Sequence, residues 1–186
     1  MSGEGRQYML SDYQLKQVEV RLKLSDNRTY YSEDPITDAD SAVLFMADIL
    51  KDLDREWVCV LNLDSKMRPI NFNVVSIGSV DRAIAPIQNI MKSGFLSGAT
   101  NILLLHTHPS GDPTPSSEDL MLTKKAVLAG KLIDLPVIDH VIAAGGTGLI
   151  FSIRSEFPEL FTSEINEKDA TEMVDGPKKR LQGRDR

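Results

Sequence analysis

Apolar residues along this chain recur with two periods, and the switch between them divides it into strands and helices. From Val18 to Leu24 apolar and polar residues alternate, which predicts a half-buried strand within 14–24. The polar stretch Ser25 to Pro35 reads as a loop. Thr37 then opens a predicted helix, with Asp40 three residues on in capping-box spacing. Ala42, Phe45, Met46, Ile49, Leu50 and Leu53 fall on one apolar stripe of that helix. Trp57 to Leu63 is short and almost wholly apolar, as in a central strand covered on both faces. After a turn at Asp64-Ser65-Lys66, Ile70, Phe72 and Val74 alternate with polar residues in a second strand, Ile70 to Ile77.

Pro86 suits the first position of a helix whose stripe is Ile87, Ile90, Met91 and Phe95. Asn101 to Leu105 predicts a buried strand ending at His106. Ser116 starts a helix running to about Gly130, a natural residue just past a helix end. Val137 to Ala144 is a strand, Gly145 to Gly148 a turn, and Leu149 to Arg154 the hairpin partner. The Gly-rich turn lacks the lysine and helix of a phosphate loop. Strands alternating with helices predict an α/β (or α+β) domain built on a mixed sheet. Three segments are expected: 1–36, an extension with one strand; 37–162, the domain; and 163–186, a polar, disordered tail.

Composition changes this picture little. The 186 residues are 41% hydrophobic and 26% charged, ordinary for one globular domain. No apolar run approaches the roughly 20 residues that span a bilayer, and the first residues lack the apolar stretch of a signal peptide. The expectation is a cytoplasmic protein without a membrane partner. The single cysteine, Cys59, lies in an apolar run and reads as a buried small hydrophobe. The net charge of −6 hides an asymmetry: residues 177–186 carry +4, leaving −10 on the rest. Such a body repels a phosphate backbone, so nucleic acid is expected to bind only weakly, through the tail 177–186.

The segment that carries chemistry is His106-Thr107-His108-Pro109-Ser110-Gly111-Asp112-Pro113-Thr114-Pro115-Ser116-Ser117-Glu118-Asp119. On extended backbone His106 and His108 point to the same side, so two imidazoles reach one cation. A stiff Pro- and Gly-containing loop then leads to a helix capped by Ser116, which puts Asp119 in the first turn. Two imidazoles and a carboxylate are ligands of the kind catalytic zinc uses, with a fourth position left for water. Asp112 reads as a turn residue and Glu118 as a solvated first-turn acid.

The pattern His-X-His, seven residues, Ser, two residues, Asp resembles the JAMM motif of the MPN-type metalloproteases. The wider stretch resembles the RadC branch of that superfamily, as do Asp54-Arg55-Glu56-Trp57, Phe72 to Gly78 and Asp139-His140-Val141-Ile142. The similarity covers about residues 37–154. It implies a cytidine-deaminase-like mixed sheet flanked by helices, with one Zn2+ per chain on His106, His108 and Asp119. Glu56 matches the upstream glutamate of the motif, which makes it the general base in hydrolysis of an amide within a protein or peptide. Ser116 is a candidate donor to the oxyanion, and His140 has a structural role or one behind the ligands. Two departures stand out. Thr107 replaces the asparagine common between the histidines, and Pro86-Ile87-Gln88 replaces the usual Pro-Arg-Glu in the poorly matching region 79–98. Residues 1–36 lack the helix-hairpin-helix module of many relatives, which reads as a stand-alone catalytic domain. Two other readings stay open: a DNA-repair-associated protein, a label long attached to RadC relatives, and a non-catalytic MPN scaffold.

Overall fold

The computed structural model describes residues 35–50, 55–78, 85–145 and 147–162 (backbone alone for 47–50). The predicted strand in 14–24 and the tail 163–186 lie outside these, as do the side chains of Ile49, Leu50 and Leu53. The elements are α1 (Ala39–Leu50), β1 (Trp57–Leu63), β2 (Pro69–Ile77), α2 (Ile87–Ser97), β3 (Asn101–His108), α3 (Ser117–Leu132), β4 (Val137–Ala144), β5 (Ile150–Ser152), α4 (Ile153–Glu156) and α5 (Glu159–Thr162).

The five strands form one mixed sheet in the order β2-β1-β3-β4-β5. Among the described strands only β3 and β4 run parallel, and α3 is the crossover such a pair requires. The remaining neighbours are antiparallel. The alternating side chains of β1 and β3 feed two cores. Cys59, Leu61, Leu63, Leu103 and Leu105 meet Ala42 and Met46 of α1 on one face. Val58, Val60, Ile102 and Leu104 meet α2 and α3 on the other, through Ile90, Met91, Leu122 and Ala126. A layer on each face explains why β1 and β3 read as unbroken apolar runs. Cys59 is buried as expected, and burial pushes its thiol up to about 12.

Several predicted boundaries shift for identifiable reasons. The cap of α1 is Asp38, whose carboxylate accepts from the Ser41 N–H at 2.8 Å, one residue later than the Thr37–Asp40 pair. Ile70 is 43% exposed because it is the unpaired residue of a bulge: Asn71 faces Asn62 while Pro69 faces Leu63. Pro86 sits just before α2 and not in it. Phe95 leaves the predicted stripe and is 57% exposed, since α2 turns Gly94 against Leu135 and Ile102 instead. Ser152 caps a short helix, so Ile153 and Arg154 leave the predicted hairpin strand for α4.

Gly130 does not end α3, which continues to Leu132. Its missing side chain lets the loop into β4 cross the helix: an added Cβ would lie 2.4 Å from the Leu135 carbonyl oxygen. Gly130→Ala therefore sets two effects against each other. Helix propensity favours alanine by about 1 kcal/mol, whereas overpacking costs about 1–3 kcal/mol. The obstacle is backbone, which cannot swing aside as a side chain does, so a net loss is expected. Urea unfolding reads this as a lower midpoint; a higher one would show that the loop yields freely.

Candidate metal centre

The site lies at the carboxyl end of β3 and the start of α3, where a parallel strand hands over to its crossover helix. β3 continues two residues beyond the predicted end and holds both His106 and His108 in extended backbone, on the α3 side of the sheet. Their rings sit edge to face, centroids 4.7 Å apart. The predicted capping box of α3 is present. The Ser116 Oγ accepts from the Asp119 N–H at 3.1 Å, and Asp119 Oδ2 accepts from the Ser116 N–H at 2.8 Å and its O–H at 2.6 Å. This holds Asp119 inward, where it is 5% exposed. A carboxylate also suits the positive end of a helix dipole.

Glu56 sits just ahead of β1, 50 residues before His106, and reaches the site by way of register. Val58 pairs with His106 in the antiparallel β1–β3 ladder, and continuing that register by two residues sets Glu56 opposite His108. The backbone on either side of Glu56 is fixed from β3: the Thr107 Oγ1 accepts from the Trp57 N–H at 2.9 Å and donates to the Arg55 carbonyl at 3.3 Å. Thr107 thus points away from the two histidines beside it, as extended backbone requires, and clamps the segment that carries Glu56.

Four candidate residues meet here. Glu56, His106 and His108 each offer a ligand atom, all within 4.8 Å of one another, and this group can hold a metal ion. Glu56 Oε2 lies 3.5 Å from His106 Nε2. Asp119 touches the same rings, with Oδ1 2.9 Å from His106 Nδ1 and Oδ2 3.6 Å from His108 Nε2. Despite the first of these distances, His106 Nδ1 is buried and has no hydrogen-bond partner, because the contact is not in line with a ring N–H. A nitrogen and a carboxylate oxygen brought together without a hydrogen bond between them fit a shared cation.

The environment favours positive charge. Asp119 beside His108 raises its pKa above the ordinary imidazole value; burial opposes this and the Asp112 carbonyl adds to it. Burial works to raise the Asp119 carboxyl, but contacts from His106, His108 and Ser116 overcome it and hold the group well below the usual carboxylate range. The two shifts share a cause: the carboxylate and the imidazole stabilise each other's charged form. The Asp112 carbonyl, 2.9 Å from His108 Nδ1, accepts that ring's proton and leaves Nε2 facing Asp119. The Asp112 side chain makes the expected turn, accepting from the Thr114 N–H at 2.9 Å; its carbonyl role gave no signal in the sequence. Glu118 is exposed.

His140 is wholly buried behind the site, its ring 6.0 Å from that of His106. Burial, with His106 as a lesser cause, pushes it down to about 3, so it is neutral. Asp139 beside it anchors the far end of the sheet. Its carboxylate accepts from the His140 N–H, the Ser152 hydroxyl and the Arg154 N–H at 2.7, 2.7 and 3.0 Å.

A five-stranded mixed sheet between helices, with a His-X-His strand end, a capped aspartate and a glutamate from the neighbouring chain segment in one cluster, defines a mixed α/β domain in which Glu56, His106 and His108 could hold a metal ion. The RadC-like JAB domain family matches residues 36–157, and the chain belongs to that family. It is similar to the UPF0758 protein of Methanococcoides burtonii, 33% identical over 143 residues, covering 75% of this chain and 62% of the relative. The UPF0758 proteins of Desulforamulus reducens and Thermotoga maritima are 40% and 36% identical over 117 and 104 residues, covering 63% and 56% of this chain and 50% and 46% of theirs. The chain thus spans about half to three-fifths of the length of these relatives. Among the described residues, no helix is long and apolar enough to cross a membrane.

Proposed function

We propose that the domain is a zinc-dependent metallohydrolase that cleaves an amide or isopeptide bond in a protein or peptide, with His106, His108 and Asp119 as ligands and Glu56 as general base. The observation that carries this reading is the buried His106 Nδ1, set 2.9 Å from Asp119 Oδ1 without a hydrogen bond. Two imidazoles and one carboxylate are a catalytic zinc set, and zinc bound there supplies a Lewis acid for the carbonyl and lowers the pKa of water towards about 7.

The chain's own residues then handle protons. Glu56 takes one from the attacking water as its oxygen bonds to the carbonyl carbon. It returns that proton to the amine as the C–N bond breaks. Thr107 keeps Glu56 in place through the two backbone groups flanking it. The Ser116 hydroxyl, which donates to Asp119 Oδ2, turns its proton to the developing oxyanion.

A second reading is supported by the convergence of Glu56, His106 and His108 within 4.8 Å: Glu56 is itself a ligand. The two readings differ in whether metal survives loss of the Glu56 charge. The hydrolytic reading is tested by offering the zinc-loaded chain a mixed library of peptides and isopeptide-linked conjugates, with and without a chelator. Cleavage that stops on chelation and returns with Zn2+ is the expected outcome. Cleavage indifferent to chelation would contradict it, and loaded protein that cleaves nothing would favour the scaffold.

A further inference from the structure

The proposed chemistry leaves His140 unused, although it is wholly buried within one ring's reach of the site. Its position repeats that of His106. Asp119 and Thr123 lie one helical turn apart on the same face of α3, about 5.4 Å along the axis. Opposite them, the His106 and His140 rings are 6.0 Å apart with planes inclined by only 14°. Each ring presents Nδ1 to the helix: His106 to Asp119 Oδ1 at 2.9 Å, and His140 to the Thr123 Oγ1 at 2.7 Å. The site is therefore the first of two parallel rungs joining α3 to the sheet.

Counting protons fixes the direction of the second rung. The Thr123 Oγ1 is also 2.7 Å from the Asp119 carbonyl oxygen, which only accepts. The one hydroxyl proton goes there, so His140 must supply the other, as an Nδ1–H donated to Oγ1. Nε2 then keeps a bare lone pair, and it is buried without a hydrogen-bond partner. We propose that His140 is a positioning residue of the metal centre: its Nδ1–H, through the Thr123 hydroxyl, secures the Asp119 carbonyl and sets the first turn of α3 at the distance where Asp119 meets His106. This rests on the reading of Asp119 as a ligand, but the proton arrangement holds with or without metal.

The test compares wild type, Thr123→Val and Thr123→Ser in the full chain. Imidazole nitrogen NMR of the metal-free protein is expected to show His140 protonated at Nδ1 and not at Nε2. Thr123→Val, of nearly equal volume, removes that preference and Thr123→Ser restores it. Zn2+ affinity, measured by competition with a chelating dye, is expected to fall by about 10–100-fold in Thr123→Val, the range for loss of a supporting hydrogen bond, and to recover in Thr123→Ser. Cobalt substitution should show an altered ligand-field spectrum in the valine variant alone. An Nε2–H tautomer in wild type would overturn the proposal. So would wild-type affinity in Thr123→Val, or a loss that merely follows its unfolded fraction. A wild-type chain with the Thr123-dependent tautomer but no Zn2+ binding would instead overturn the metal reading and leave the rung itself established.

Discussion

Replacing Glu56 by glutamine is expected to leave Zn2+ bound and to lower turnover by about 10²–10⁴-fold, the contribution of a positioned general base. The substitution keeps size and hydrogen-bonding capacity but removes the group that accepts a proton. Glu56 Oε2 lies 3.5 Å from His106 Nε2, while Asp119 Oδ1 meets the same ring at Nδ1. A base needs that placement: within reach of the reacting water and fixed from behind. Thr107 supplies the fixing, through bonds to the backbone on either side. Parallel measurements of turnover and zinc content decide between roles. Lost turnover with retained zinc supports the base; lost zinc moves Glu56 into the ligand set; undiminished turnover removes it from the mechanism.

His108→Ala is expected to weaken Zn2+ binding by more than about 100-fold, beyond the 10–100-fold typical of losing a partner behind a ligand. His108 Nδ1 is engaged by the Asp112 carbonyl, so the ring is oriented before any metal arrives and Nε2 is left for the ion. Truncation removes a donor that was already organised. It falls at the end of β3, outside both apolar cores, but it also takes a partner from the buried Asp119 carboxylate, so the thermal midpoint of the metal-free chain is expected to fall. Dye competition gives the affinity and calorimetry the midpoint. Wild-type affinity in this variant would shift the ion onto Glu56, His106 and Asp119.

The proposed ligands His106, His108 and Asp119 were legible in the sequence because their placement is local. An extended His-X-His fixes two rings on one side, and a capped helix fixes Asp119 in its first turn. Glu56 is different: its approach depends on how β1 registers against β3, and no pattern around residue 56 encodes that pairing, so only the family resemblance pointed to it. Thr123 and His140 were harder still, since their contact joins the middle of α3 to β4 across 17 residues and involves no unusual residue type. The layers followed from the apolar runs, whereas side-chain direction at the margins did not. Phe95 belongs to the stripe by spacing but yields to Gly94, where a close approach decides which face is buried. Gly130 shows the same ambiguity: a glycine near a helix end signals termination or close packing, and here Leu135 lies against it.

The convergence of two imidazoles and a carboxylate on one cation is tested most directly by titrating Zn2+ into the metal-free wild-type chain. Saturation at about one ion per chain, with two imidazoles and only nitrogen and oxygen donors seen by X-ray absorption, is the expected result. No saturable binding, or an ion closed off by four protein side chains, would contradict it.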